Sequence, residues 1–235
     1  MAVITISRQF GCGGEYVAER VAEKLEFRYL HKELIRIASV LMSTDEEKLQ
    51  QFDEEQFSSM RSFMSKYFDT GMFSDMLKKT DYSEKDVKEL KQLAINDAET
   101  FFTRYTPDTT AFDSDSFQDM MKKIILKAYD TTNAVIMGRG GVSILGDLED
   151  TLHFRLIADI EDRVKWVSAR ENITKKQAHD QIIEIDARKA KYFKHNFDKN
   201  IDDNDIYHGT LNLSKLEIEE ASLAIVEIAK IKFKL

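Results

Sequence analysis

Short apolar runs alternate along this chain with longer segments in which apolar residues recur every three or four positions. Continuous apolar runs of this length are typical of strands buried in a parallel sheet, whereas the longer spacing is typical of amphipathic helices. Residues 134–137 form such an apolar run, and residues 3–7, 152–158 and 210–213 are further predicted strands. The predicted helices are residues 14–26, 31–42, 161–171, 174–197 and 216–231. Strands that alternate with helices favour an α/β fold with a doubly wound parallel sheet.

Two of the predicted helices begin at recognisable capping sequences. Thr174 with Gln177 three residues later forms a capping box, which satisfies backbone N–H groups at a helix start. Ser214 and Glu217 are predicted to cap the final helix, residues 216–231.

Residues 44–130 differ from the rest of the chain, because they are rich in Met and Phe and contain no strand-like run. Possible helix starts, at Thr44 with Glu47 and at Ser83 with Asp86, predict a helical insertion that projects from the sheet. The Met and Phe residues are explained either by a small helical core or by a lid or oligomer surface. The chain is therefore predicted to form one domain over 1–235, with this insertion at about 44–130.

Composition narrows the function classes. The net charge of -8 argues against a protein that binds the nucleic-acid backbone, although local arginines can still bind small phosphorylated ligands. No apolar run approaches the length of about 20 residues that a membrane helix needs, and no signal peptide is evident. The single cysteine fits a reducing compartment. These features predict a cytoplasmic protein, with the oligomeric state left open.

A glycine-rich stretch separates the first strand from the first helix. It contains Gly11, Cys12, Gly13 and Gly14. Glycines at this junction let backbone N–H groups approach a phosphate at a helix N-terminus, although a tight turn without a ligand has the same sequence. Cys12 is either a thiolate beside the helix or a small loop residue. The four histidines at 153, 179, 195 and 208 show no metal-ligand spacing, so no metal site is predicted from protein residues.

Four segments together resemble the cytidylate kinase-like family, a branch of the P-loop kinases. They read I-T-I-S-R-Q-F-G-C-G-G from residue 4, A-V-I-M-G-R-G-G from 134, I-D-A-R-K-A-K-Y-F from 185 and L-N-L-S from 211. The resemblance frames residues 1–42 and 131–235. It implies a sheet of P-loop kinase type, a lid region at about 172–198, and phosphoryl transfer from ATP with Mg²⁺ to a nucleoside monophosphate such as CMP or dCMP.

The resemblance also implies roles for individual residues. Arg8 would bind the donor nucleotide with the loop residues Gly11, Cys12, Gly13 and Gly14. Arg139 would bind the phosphate of the acceptor, as a guanidinium can do with two parallel hydrogen bonds. Arg163 would lie against adenine, and Asp186 and Arg188 of the lid region would serve catalysis. Taken without the resemblance, Arg139 is a surface arginine, Arg163 a solvated helix charge, and Arg188 part of an exposed helix that also carries Lys189 and Lys191.

The chain departs from the pattern of P-loop kinases at several positions. The P-loop lysine and the following hydroxyl residue are replaced by Gly14, Glu15 and Tyr16. His31 stands where an acidic residue is expected, and Gly140 where true cytidylate kinases have an aspartate. Two alternatives therefore stay open: a kinase of another small acceptor, and a nucleotide sensor that binds without turnover.

Overall fold

Five parallel strands form the centre of this computed structural model, which describes residues 1–41, 114–146 and 148–235. The strands are β1 (Val3–Arg8), β2 (Arg28–Leu30), β3 (Ala134–Met137), β4 (Thr151–Ile157) and β5 (Gly209–Asn212). They pair in the order β2-β3-β1-β4-β5. The predicted parallel α/β sheet is confirmed.

Helices fill most of the connections between these strands. They are α1 (Gly14–Leu25), α2 (Lys32–Leu41), α3 (Ser114–Thr131), α4 (Gly141–Leu145), α5 (Ile160–Glu171), α6 (Lys175–Phe197) and α7 (Ile218–Phe233). Strand β2 and helix α4 are additional to the sequence prediction. Strand β2 has three residues and α4 has five, so neither is long enough to produce a recognisable period.

Alternate residues of β1 pack on opposite faces of the sheet, as the pleat of a strand requires. Ile4 and Ile6 belong to the core cluster that includes Val17 of α1 and Ile225 of α7. On the other face, Thr5 lies against α4, where a Cβ added to Gly141 would be 3.3 Å from the Thr5 Cγ2. Full burial of each large apolar side chain contributes about 1.5–3 kcal/mol, so both layers stabilise β1 at the centre of the sheet.

Helix caps differ in one case from the sequence prediction. The predicted capping box of Thr174 and Gln177 is present at the start of α6. At the start of α7, Glu217 is the capping residue and forms a capping box with Glu220. The prediction that Ser214 also caps this helix is wrong, because its hydroxyl accepts the backbone N–H of Asp159 at 2.8 Å.

The predicted insertion at 44–130 falls mostly outside the described residues. Residues 114–130 are helical, as part of α3, and the Met- and Phe-rich segment lies outside the description. None of the described helices has the length and apolar character needed to cross a bilayer.

Candidate active site

The candidate active site lies at the carboxyl ends of β1, β3 and β4. The connection that leaves β1 leads to β2 on one side of the sheet, and the connection that leaves β4 leads to β5 on the other side. Adjacent parallel strands whose connections run in opposite directions leave a crevice between their loops, and this crevice is the usual ligand site of an open α/β sheet. The loop after β1 is the predicted glycine loop.

The backbone of this loop leads directly into the N-terminus of α1. Gly11 and Gly13 have φ angles of +77° and +83°, in the left-handed region that glycine adopts at low cost. Gly13 is the N-cap of α1, and Gly14 is the first helical residue. A helix N-terminus presents N–H groups and the positive end of a dipole, so this geometry suits a phosphate group. Phosphate binding here stays a prediction.

Two helices from the other end of the chain hold the loop in place. Asp186 of α6 accepts the backbone N–H of Phe10 at 2.8 Å, and its second oxygen pairs with Arg163 of α5. Arg163 also donates to the Phe10 carbonyl at 3.3 Å. Gly11 lies so close to α5 that an added Cβ would be 2.4 Å from the Val167 Cγ2. The described contacts of Arg163 and Asp186 therefore position the loop, and their predicted roles in adenine binding and catalysis stay predictions.

The Arg8 side chain crosses the beginning of α1. Its Cβ and Cγ pass over Gly14, where an added Cβ would lie 3.0 and 3.3 Å from them. The Arg8 Nη2 lies 3.4 Å from the His31 Nε2 and 3.9 Å from the Glu15 Oε1. Only 6% of the Arg8 surface is exposed. A buried guanidinium thus ends beside the first turn of α1.

Arg139 follows β3 and is also buried, with 5% of its surface exposed. Its φ angle of +58° is left-handed, like those of Gly138 and Gly140 on either side. Burial, and then repulsion by the positive charge of Arg8, lower the pKa of Arg139 to about 9. Arg139 therefore keeps its charge at neutral pH, and the alternative that it is a surface residue is wrong.

Gly140 has no room for a side chain. A Cβ added there would lie 2.1 Å from the Phe197 Cζ at the end of α6. The left-handed φ of +72° adds a second reason for glycine. An aspartate at this position, as true cytidylate kinases have, would collide with Phe197 in this structure.

Helix α6 carries two further buried cations. Arg188 and Lys189 are 8% and 3% exposed, whereas Lys191 is exposed. The Arg188 Nη1 lies 3.9 Å from the Glu184 Oε1, and the Lys189 Nζ lies 5.9 Å from the centre of the Phe10 ring. The alternative of an exposed helix with mixed charges therefore describes Lys191 but not Arg188 or Lys189.

A buried arginine in β4 was missed by the sequence interpretation. Arg155 donates to the Ser7 hydroxyl at 2.9 Å and pairs with Asp202. It borders a cavity of about 40 Å³, a volume comparable to a few water molecules. The cavity is lined by Arg8, Gln9, Arg155, Asp186, Lys189, Ile201 and Asp202. The available signal was a charged residue in the middle of a predicted strand.

Cys12 is buried beneath the glycine loop. Burial raises the pKa of the Cys12 thiol, so the thiol stays protonated near neutral pH. Its sulfur lies 3.7 Å from the Leu156 carbonyl, in reach of a weak hydrogen bond. These features favour a loop residue over a reactive thiolate.

Metal binding by the protein alone has no support in the described part of the chain. Within 1–41, 114–146 and 148–235, no three His, Cys, Asp or Glu side chains are grouped so that they could hold a metal ion. Magnesium in phosphoryl-transfer sites needs only one or two protein carboxylates, because phosphates and water supply the other ligands. Glu15, in the first turn of α1, is one carboxylate beside the loop.

The sequence profile of the cytidylate kinase-like family matches residues 3–215. The chain belongs to the cytidylate kinase-like family. Family membership supports nucleotide kinase activity in general. No curated protein matches the sequence.

Among solved structures, this cytidylate kinase-like protein is similar to an uncharacterized protein from Eubacterium ventriosum. The two share 17% identity with a TM-score of 0.62, over 98% of this chain and 99% of the other. This likeness concerns the fold alone. A shikimate kinase from Acinetobacter baumannii, solved in complex with shikimate, aligns over 97% of this chain and 92% of its own at 10% identity, with a TM-score of 0.47.

Proposed function

We propose that this member of the cytidylate kinase-like family transfers the γ-phosphoryl group of ATP to a nucleoside monophosphate, with CMP or dCMP as the first candidates. The observation that carries the proposal is the pair of buried arginines, Arg8 and Arg139, at the carboxyl ends of β1 and β3. Both lie at the end of the sheet where the glycine loop opens onto the N-terminus of α1.

Two buried guanidinium groups that repel each other are costly, and a bound anion offsets this cost. Repulsion by Arg8 is the second cause, after burial, of the lowered pKa of Arg139. A phosphate between or beside them would replace this repulsion with charge-assisted hydrogen bonds. Arg139 would bind the phosphate of the acceptor, and the loop with Arg8, Gly11, Cys12, Gly13 and Gly14 would bind the donor phosphates.

Catalysis in this proposal consists of positioning and charge neutralisation. An oxygen of the acceptor phosphate attacks the γ-phosphorus of ATP while the bond from that phosphorus to the β–γ bridging oxygen breaks. The products are ADP and a nucleoside diphosphate. Arg188 and Lys189, in the predicted lid region at about 172–198, would neutralise charge on the group in flight. Asp186 and Arg163 would contribute by holding the glycine loop in position.

Bound magnesium would supply charge neutralisation for the phosphates in this reaction. Glu15 is the residue that would hold it. In the Walker A pattern this position carries a hydroxyl residue that binds the ion, and Glu15 supplies an oxygen ligand there instead. Adenine would lie near Arg163.

We also propose a cytoplasmic location, which fits a single cysteine and small nucleotides as partners. The net charge of -8 supports the proposal that no nucleic acid is bound.

A nucleotide sensor is the second candidate, and Glu15 is the observation that favours it. Its carboxylate lies 3.9 Å from the Arg8 guanidinium, so it competes with a phosphate for the same cation. A sensor would bind nucleotide without transferring phosphate.

Turnover across a panel of acceptors tests the proposal. Purified protein is incubated with ATP and Mg²⁺, and ADP release is measured with CMP, dCMP, the other nucleoside monophosphates and non-nucleotide hydroxyl acceptors. Release that depends on CMP or dCMP is expected. Release only with another acceptor indicates a different kinase, and ATP binding by calorimetry without any release indicates a sensor. Folded protein that binds no nucleotide contradicts both.

A further inference from the structure

The glycine loop has the spacing of a Walker A motif with two residues exchanged. The Walker pattern is G-x-x-x-x-G-K-[ST]. When Gly13 is taken as the second glycine, Gly14 stands at the lysine position and Arg8 stands at the position of the first glycine. The chain thus has a glycine where the pattern has the cation, and a cation where the pattern has a glycine.

In the folded protein these two positions contact each other. The Cβ and Cγ of Arg8 occupy the space into which a side chain at position 14 would begin, since an added Cβ would lie 3.0 and 3.3 Å from them. Leu156 closes the remaining space, with its Cδ1 at 3.2 Å. Separations of this size are tighter than ordinary van der Waals contact. A lysine at position 14 would therefore crowd the Arg8 stem, which would have to shift by a few tenths of an ångström to admit it.

The charged end of Arg8 also reaches the region that a P-loop lysine serves. Its Nη2 lies 3.9 Å from the carboxylate of Glu15 in the first turn of α1. Glu15 is more than half exposed, so a negatively charged ligand can take the place of its carboxylate beside the guanidinium. Arg8 itself is held by burial against Gly14 and by His31, whose Nε2 is 3.4 Å away.

We propose that Arg8 replaces the missing P-loop lysine and binds the β- and γ-phosphates of the donor from the first position of the loop. This inference rests on the proposed function, because it assumes that the loop binds a nucleoside triphosphate. It explains how the site retains a cation for the donor although Gly14 has no side chain. It also explains why residue 14 is a glycine: the Arg8 stem lies across it.

Calorimetric titration of substituted proteins tests this inference without relying on turnover. Arg8→Met keeps the stem over Gly14 and removes the charge. We expect it to weaken binding of ATP and of inorganic tripolyphosphate by about 10- to 150-fold, the range for a lost charge-assisted contact. Binding of AMP should change by less than about threefold, because AMP lacks the phosphates that Arg8 contacts. Arg8→Lys should retain most of the affinity for ATP.

The exchange of the two residues provides the sharper test. Arg8→Gly combined with Gly14→Lys restores the Walker arrangement and should recover at least about a tenth of the wild-type affinity for ATP. Gly14→Lys alone should not raise affinity, because Arg8 blocks the new side chain. Arg20→Gln is the matched control, since Arg20 is an exposed arginine of α1 that pairs with Glu23. Circular dichroism and a thermal melt verify that each variant is folded.

The outcomes separate this inference from the proposed function. If wild type binds ATP and folded Arg8→Met binds it equally well, Arg8 does not replace the lysine and its assignment to the donor phosphates falls. Phosphoryl transfer from ATP is then still decided separately, by ADP release that depends on the acceptor. If Arg8→Met does not fold, an exchange variant that folds but fails to bind ATP overturns the inference. If folded wild type binds neither ATP nor tripolyphosphate, the proposed function fails and the inference fails with it.

Discussion

Asp186, in α6, accepts a hydrogen bond from the backbone N–H of Phe10, in the loop after β1, at 2.8 Å. The two residues are 176 positions apart in sequence. The second carboxylate oxygen of Asp186 pairs with Arg163 of α5. A single side chain therefore joins the glycine loop to both helices that follow β4.

Asp186→Asn is expected to lower the free energy of unfolding by about 2–3 kcal/mol, because it leaves the buried Arg163 guanidinium without its counter-charge. Hydrogen exchange at the amides of the glycine loop should also accelerate. Urea denaturation and exchange mass spectrometry measure the two effects. The matched control is Asp180→Asn, at an exposed position on the same helix, which should change stability by less than about 0.5 kcal/mol. Equal stability of the two variants would contradict the positioning role.

If Arg139 binds the acceptor phosphate as proposed, Arg139→Ala is expected to weaken binding of CMP by about 10- to 150-fold while ATP binding changes much less. Arg139→Lys should recover part of the affinity, since an ammonium lacks the planar fork. Arg139→Gly removes the same charge and accepts the left-handed backbone at this position, where φ is +58°. Titration of all three with CMP and an ATP analogue measures the effect. Unchanged CMP affinity in folded variants would leave Arg139 with a structural role alone.

Gly140→Ala is expected to lower the free energy of unfolding by about 2–4 kcal/mol, because the new Cβ meets the Phe197 ring at 2.1 Å and the backbone is left-handed. Gly13→Ala separates the two causes. Its φ is also positive, at +83°, but the nearest atom to an added Cβ is 3.8 Å away. That variant should lose only about 1–2 kcal/mol. Thermal or urea denaturation makes the comparison, and Phe197→Leu should restore part of the stability of Gly140→Ala.

His153 is expected to make the protein less stable in mild acid. Its ring lies between the hydroxyls of Thr5 and Thr151, with the Thr5 Oγ1 2.7 Å from the Nδ1. Burial, followed by repulsion from His208, lowers the pKa of His153 to about 4, from 6.5 in an unfolded chain. Between these values the unfolded chain binds more protons, so stability is complete above pH 6.5 and falls as the pH is lowered to 4.

The loss in free energy of unfolding caused by His153 amounts to about 3 kcal/mol between pH 6.5 and pH 4. His153→Gln, which cannot be protonated, should flatten the dependence of unfolding free energy on pH. His179→Gln, at an exposed position, should leave it unchanged. Urea denaturation between pH 4 and 7 measures both. A slope in His153→Gln as steep as that of wild type would show that other groups cause the acid sensitivity.

The long elements of the fold could be predicted because each repeats its own local pattern. Strand β3 is a continuous apolar run, and α6 begins at a capping box that sequence alone reveals. Strand β2 could not be predicted in this way, because it has only three residues. Its extended conformation depends on hydrogen bonds to β3, which is distant in sequence. The predicted cap of α7 was wrong for Ser214, because its hydroxyl accepts a hydrogen bond from the distant backbone N–H of Asp159.

The candidate site was predictable where it depends on local sequence and not where it depends on long-range contact. Glycines between the first strand and the first helix predict either a phosphate loop or a tight turn without a ligand. The burial of Arg139 and the anchoring of Phe10 by Asp186 depend on residues far away in sequence, so no spacing reveals them. The contact between the Arg8 side chain and Gly14 could be predicted only in part. The Walker spacing identifies the two positions, and only the structure shows that they compete for the same space.

That competition restricts how this loop can change in evolution. A lysine introduced at position 14 would crowd the stem of Arg8, and the loss of Arg8 alone would leave a gap over Gly14 and remove a cation. Each single substitution is therefore disfavoured, and we expect the double substitution to be better tolerated. Relatives with a large residue at position 14 are expected to have a small one at position 8. The ancestral path between the two arrangements then requires paired changes or a compensating change at Leu156.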